Sequence, residues 1–318
     1  MINGNYGFGG RLTSDFPSQI VVDLTNSCNL KCIHCAHSEM VKSPNFRKAS
    51  LAPLLNKKLV DEVHKDGNGL CTYIRYTADG EPMLHPQMFD MLEYAVGNCE
   101  AKITLTTNGT LLNDEKIERL VNTKLHSVDI SIDAFSVNSY SAIRKNGDYE
   151  QTINNVHKLI ENKKETKIFL SFISQPANEV EAEPFEKYWL DNGADYVVIR
   201  RLHSCANILS NPLKPDHIDE NEKITRKPCV YPWERLVLAP NGKLTFCPAY
   251  WGRESFYLFD FNEITIMEAW QSEMINSLRN AHLSNDFGEF AMCESCMDWQ
   301  QMRWPHEGRA YADLMSEM

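Results

Sequence analysis

From Gln19 to Arg200 short β-rich runs alternate with longer amphipathic stretches. QIVVDLT (19–25), CTYIRYT (71–77), KITLTT (102–107), SVDISID (127–133), KIFLSF (167–172) and YVVIR (196–200) read as strands. Residues 51–63, 87–96, 113–121, 150–161 and 183–191 read as the helices between them. Strands rich in apolar β-branched residues are expected to be buried on both faces, as in parallel sheets. Six βα units joined by short loops predict an α/β fold, either barrel-like or doubly wound, with right-handed crossovers.

The rhythm breaks after Arg201. NPLKPDHIDENEKITRK (211–227) is polar, holds two prolines and reads as a connector. RLVLAPNGKLTF (235–246) gives two short strands around Asn241-Gly242, a hairpin-turn signal. One helical stretch is expected from Glu263 to about His282, with Ile266, Met267, Trp270, Met274 and Leu278 as its apolar positions. The expected organisation is a core over 1–205, a connector over 206–228, a small second domain over 229–300 and a tail over 301–318. The tail, rich in aromatics and methionine, is a candidate to fold back over the core.

Composition narrows the function classes. The chain of 318 residues carries a net charge of −11, which argues against nonspecific nucleic-acid binding. No apolar run reaches the roughly 18 residues of a membrane span, and the N-terminus has no basic start followed by an apolar stretch. The expectation is a cytoplasmic protein without membrane or nucleic-acid partners. In a reducing compartment its ten cysteines point to metal sites more than to disulfides.

Seven of those cysteines fall into two patterned groups. Cys28, Cys32 and Cys35 sit on one loop directly after the first strand, where they can converge on one metal centre. Three thiolates would leave one iron of a cubane open to a substrate. A structural zinc loop completed by His34 or His37 is the alternative. The loop's place after a strand favours a catalytic site, because α/β sheets build active sites at the C-terminal ends of their strands.

This Cys-x3-Cys-x2-Cys loop resembles the hallmark of the radical S-adenosylmethionine (SAM) superfamily. Gly80-Glu81-Pro82 after the second strand is similar to the family's GGEP motif, with Asp79 in place of its first glycine. Thr107-Asn108-Gly109 ends the third strand, Ser131 and Asp133 end the fourth, and Arg144 follows. The resemblance covers roughly residues 19–201. It implies a partial (β/α)6 barrel with a [4Fe–4S] cluster on Cys28, Cys32 and Cys35. It further implies SAM contacts from Gly80, Glu81, Pro82, Asn108, Ser131 and Arg144, and an adenine neighbour at Val198 or Ile199. The chemistry implied is reductive cleavage of SAM to a 5′-deoxyadenosyl radical, which abstracts a substrate hydrogen, with an external electron donor such as a flavodoxin or ferredoxin.

Cys229, Cys247 and the Cys293-Glu-Ser-Cys296 pair form the second group. Taken alone, zinc and iron–sulfur suit four such thiolates equally. Beside a radical SAM core the pattern resembles the SPASM/twitch extension. With no cysteine after Cys296, it is most similar to the shorter twitch form with one auxiliary [4Fe–4S] cluster. A fully ligated cluster would be an electron conduit, which implies oxidation of a small-molecule substrate. Among relatives, the layout looks most like that of twitch-containing aminocyclitol dehydrogenases of the 2-deoxy-scyllo-inosamine type. The expected substrate is a polyol or amino-sugar-like molecule.

Two other readings stand beside this one. Crosslinking of a ribosomally made peptide is the second, against which the short segment before Cys28 weighs. A zinc-stabilised binding protein without enzymatic activity is the third. Arg201 and His203, just past the sixth strand, are candidates for substrate binding or proton transfer. Arg200, Arg75 and Tyr76 are weaker candidates. Cys71 reads as a core residue, Cys99 lies beside a loop, and Cys205 stands near the mouth of the barrel.

Overall fold

The computed structural model describes residues 6–77, 79–209, 226–308 and 311–317. Six parallel strands carry the core: β1 (Gln19–Asp23), β2 (Tyr73–Thr77), β3 (Lys102–Thr107), β4 (Ser127–Ser131), β5 (Lys167–Ser174) and β6 (Tyr196–Arg201). Each is followed or preceded by a helix where the apolar period changes from two to 3.6. These are α1 (Pro53–Asp66), α2 (Met88–Asn98), α3 (Asp114–Thr123), α4 (Tyr149–Asn162) and α5 (Ala182–Asp191). Local chemistry fixes their starts. A proline opens α1, and the side chains of Asn113 and Asp148 accept the backbone N–H groups of Lys116 and Gln151 to cap α3 and α4.

The strands run in the order β1-β2-β3-β4-β5-β6, all parallel, as a partial barrel. Their two faces differ. Ile20, Val22, Ile74, Tyr76, Ile103, Leu105, Val128, Ile130, Leu170 and Phe172 point outward to the helices and form the main core. The other face carries polar side chains. Asp129 of β4 accepts from Arg75 of β2 at 3.3 Å, Arg200 of β6 at 2.8 Å and Ser171 of β5 at 2.6 Å. Burial on both faces is therefore as expected for a parallel sheet, but this layer of the barrel interior is ionic and not apolar. Arg75 and Arg200, both weak site candidates by sequence, are held in this network. Tyr76 points the other way and donates to Asn56.

The hairpin forms as expected, with β7 (Arg235–Leu238) and β8 (Lys243–Thr245) joined at Gly242, whose φ is +81°. Its placement differs from a separate domain. β7 pairs in parallel with β1, Gln19 opposite Arg235, and β9 (Phe259–Asp260) adds to β8. One sheet of nine strands thus runs β9-β8-β7-β1 through β6. The second cysteine group accordingly hangs from the edge of the barrel sheet itself. The expected connector lies mostly outside the described residues.

The helix expected over 263–282 is two helices, α6 (Ile266–Gln271) and α7 (Glu273–Ser284). Ser272 between them has an extended backbone (ψ 157°), and its side chain accepts from the Ile275 N–H to begin α7. In the tail, α8 (Tyr311–Glu317) sets Ala312 and Met315 against Tyr73 and Phe169, so it packs near the N-terminal ends of the strands. That is the end opposite the cysteine loop. Among the described residues no helix is long and apolar enough to cross a membrane.

Candidate active site

A cavity of about 410 Å³ lies at the C-terminal ends of the strands, and all seven patterned cysteines line it. The strand ends supply one wall and the hairpin and Cys293–Cys296 segment supply the other.

The first cysteine loop is held on three sides. Lys31 and Cys32 pair antiparallel with Lys145 and Arg144. Asn29 donates to Thr110 at 2.7 Å and accepts from Asn108 at 3.0 Å, which ties the loop to the end of β3. Ser27 accepts the Glu81 N–H through its carbonyl at 2.7 Å. The last contact explains Gly80: a Cβ there would lie 2.1 Å from the Ser27 carbonyl oxygen, so no other residue fits without moving the loop.

Glu81 is buried and organises the neighbouring strand ends. Its carboxylate accepts from Thr107 Oγ1 at 2.6 Å and from the N–H groups of Asn108 at 2.8 Å and Met83 at 3.1 Å. Burial raises its pKa, against those three donors. Gly109, at φ +74°, makes the turn that brings Asn108 round to the cavity. Arg144 is buried, donates to Asp133, and leaves its Nε without a partner while lining the cavity. An unpaired buried donor of this kind fits an anionic ligand such as a carboxylate.

His34 and His37 bear on the zinc alternative. His34 lies 3.3 Å from Asp133 through Nε2 and 3.3 Å from the Gln175 amide through Nδ1, so both ring nitrogens are engaged. Burial, with Arg144 adding to it, pushes its pKa down to about 4 against the pull of Asp133. His37 meets the Asn26 carbonyl and does not line the cavity. Among the described residues no three Cys, His, Asp or Glu side chains converge closely enough to hold a single metal ion. The thiols nevertheless interact. Cys35 senses Cys32 and Cys28, while Cys247 senses Cys229, Cys293 and Cys296. Each group presents free thiols near enough to one another to interact, the soft donor set that an iron–sulfur cluster takes. Burial pushes Cys28 up to about 11 and Cys229 up to about 12, so each would hold its proton at neutral pH until a metal displaces it.

Of the residues singled out by sequence, Gly80, Glu81, Pro82, Asn108, Ser131, Arg144 and His203 all reach this cavity. Two do not. Ile199 is 39% exposed on the outward side of β6, and Arg201 is exposed on the same side. On β6 it is Val198 that packs with the inner-face residues Tyr73 and Phe169, while Arg200 reaches Asp129 across the interior. A one-residue change of register exchanges the faces of a strand, and the apolar run YVVI offers no alternation to fix it.

Several cavity residues carried no sequence signal. Asp298 accepts the N–H groups of Ser204 at 2.8 Å and Ala206 at 2.9 Å, joining the loop after β6 to the segment after Cys296. That loop has three consecutive left-handed residues, Cys205, Ala206 and Asn207, with φ of 53°, 52° and 65°. It brings Cys205 into the cavity wall. Arg226 and His282 flank the second cysteine group. Neither belongs to a spacing pattern.

The comparisons with known proteins agree with this geometry. The radical SAM superfamily model matches residues 22–182, and an iron–sulfur cluster-binding (SPASM) domain model matches residues 229–297. The chain belongs to the radical SAM superfamily and carries a SPASM-type C-terminal region. With this come SAM as cofactor, a SAM-cleaving [4Fe–4S] cluster and auxiliary iron–sulfur binding. Individual relatives are distant. An AdoMet-dependent heme synthase of Methanosarcina barkeri is 29% identical over 144 residues, 45% of this chain and 39% of that protein. The match thus spans about two fifths of that curated relative.

Two solved structures share the fold at low identity. BtrN in complex with AdoMet and 2-DOIA superposes with a TM-score of 0.58 at 17% identity, covering 88% of this chain and 92% of that one. Streptococcus suis SuiB bound to its precursor peptide SuiA gives 0.67 at 14% identity, covering 94% and 76%.

Proposed function

We propose that this chain is a radical SAM oxidoreductase that dehydrogenates a small polyol or amino-sugar-like substrate. Cys28, Cys32 and Cys35 would hold the SAM-cleaving cluster, and Cys229, Cys247, Cys293 and Cys296 one auxiliary cluster. The observation that carries the reading is the single cavity onto which all seven cysteines open. A substrate there would stand between an open-iron site and a fully ligated one. When bound, SAM and the reduced cluster supply a 5′-deoxyadenosyl radical able to take a hydrogen atom from an unactivated C–H bond.

The chain's own residues position and enclose. Glu81, fixed by Thr107, Asn108 and Met83, offers its carboxylate to the SAM amino group. The unpaired Nε of Arg144 offers a donor to a SAM oxygen, with Asn108 and Ser131 nearby on the strand ends. Phe246, Trp299 and Met302 close the cavity against water. His203 stands on the cavity wall, and burial lowers its pKa, so it would be neutral and able to accept a substrate proton.

A second reading is supported by a neighbouring cavity of about 560 Å³, lined by Asp79, Tyr257 and Arg253. Trp251 lines both cavities, which would give room to an extended substrate such as a peptide. The fold likeness to SuiB, a protein solved with a precursor peptide, is in keeping with it.

The test is iron and labile sulfide content after anaerobic reconstitution. Two cubanes predict about eight irons per chain, and about four in a Cys28/Cys32/Cys35→Ala triple variant. Cys28→Ala should abolish 5′-deoxyadenosine formation, and normal SAM cleavage there would end the radical reading. Cys247→Ala should retain some SAM cleavage and lose product. Unchanged product yield would remove the electron-conduit role.

A further inference from the structure

His282, on α7, is a buried histidine whose ring is locked in place and half used. Its Nδ1 accepts the backbone N–H of Cys229 at 3.4 Å. Phe287 packs edge-on against it with centroids 5.0 Å apart, and Trp233 does so at 6.4 Å. A nitrogen that accepts a hydrogen bond carries no proton, so the single N–H of the neutral ring sits on Nε2. That Nε2 is shielded from solvent and meets no protein acceptor. A buried donor left unpaired costs about 1–3 kcal/mol, so such a group normally has a partner.

The surroundings indicate what the partner is. His282 lines the cavity together with Cys229, Cys247, Cys293 and Cys296. Arg226 stands beside the same group and donates to the carbonyls of Cys293 and Glu294, with Phe287 stacked 4.2 Å from its guanidinium.

We infer that His282 donates its Nε2–H to a sulfur of the cluster held by these four cysteines, and that this hydrogen bond raises the cluster's reduction potential. The inference rests on the auxiliary-cluster reading above. A donor to sulfur stabilises the reduced, more negative state. The effect suits an electron acceptor, because a higher potential favours one-electron transfer from a substrate radical. His282 is a positioning residue in this account and touches no substrate.

The experiment is an EPR-monitored redox titration of the reconstituted full chain, in the Cys28/Cys32/Cys35→Ala background so that only the auxiliary signal is present. His282→Phe should lower the potential by about 59 mV, a tenfold shift in the one-electron equilibrium. His282→Gln, which keeps a donor at the same reach, should recover most of it. If His282→Phe does not load iron, His282→Gln is compared with His282→Met, similar in size but without a donor. Equal potentials across donor and non-donor variants overturn the inference while leaving the cluster reading intact. A triple-cysteine background without iron overturns both, and the iron count alone shows it.

Discussion

Cys32 and Arg144 face one another across a two-residue antiparallel pairing, and Arg144 also donates to Asp133. The cysteine loop and the segment after β4 are thereby joined through one residue, its backbone paired with Cys32 and its guanidinium on Asp133. Asp133 itself is fully buried, at φ +59°, and its other oxygen accepts the Ile173 N–H at 2.7 Å.

Arg144→Met should therefore be strongly destabilising, by about 3–5 kcal/mol, because it removes the cation beside the buried Asp133 carboxylate and leaves only the Ile173 N–H and the His34 ring against it. Denaturant unfolding measures this. An Arg144→Met/Asp133→Asn double variant should recover part of the loss. A double variant no more stable than the single one would show that the charge left on Asp133 is not the cause.

Much of this arrangement was legible beforehand. The strands β1 to β6 and their helices fall within a few residues of the periods in the sequence, since each outward face packs on an amphipathic helix, a proline opens α1, and side-chain caps begin α3 and α4. What could not be read were relationships between distant segments. Nothing in RLVL marks it as a parallel partner of β1, because any β-branched edge strand would serve. The outward turn of Ile199 and Arg201 depends on a register that YVVIR leaves open. Arg226, His282 and Asp298 act through contacts with residues 53 to 94 positions away in the chain, and no local pattern encodes these. The cysteines were the exception, because metal ligation imposes spacing that survives in one dimension.

Gly80→Ala should separate folding from cofactor binding. The added methyl would overlap the Ser27 carbonyl at 2.1 Å, which pushes the cysteine loop away from the Gly-Glu-Pro turn. The cores contributed by the helices are not touched. Far-UV circular dichroism should be unchanged while SAM affinity, by calorimetry on the reconstituted protein, falls at least tenfold, about 1.4 kcal/mol. Wild-type affinity would mean the loop does not form the SAM contact surface.

Asp298 holds a loop that would otherwise be unfavourable. Left-handed conformation costs a non-glycine residue roughly 1–2 kcal/mol, and Cys205, Ala206 and Asn207 adopt it in succession. Asp298→Ala removes the acceptor of two backbone N–H groups and should release this loop. Amide hydrogen exchange should rise at 204–207 with little change in the strands. Because the loop also carries His203, product formation should fall more than SAM cleavage does. Unaltered exchange would show that other contacts fix the loop.

Asp23, at the end of β1, accepts from Tyr250 at 2.7 Å. Asp79, also buried, lies near enough for the two carboxyls to repel, and its Oδ2 has no partner. Burial is the main cause that raises the Asp23 pKa from 3.8 to about 7, against the Tyr250 bond and the Arg75 charge. Between those two values the folded chain binds more protons here than the unfolded one. Stability from this group therefore falls as pH rises from about 4 to about 7, the reverse of an ordinary salt-bridged aspartate. Asp23→Asn keeps an acceptor for Tyr250 and removes the titration. Its melting temperature should gain on the parent progressively across that window and match it most closely at the acid end. A constant difference between the two proteins at every pH would place the effect in packing instead of in the buried charge.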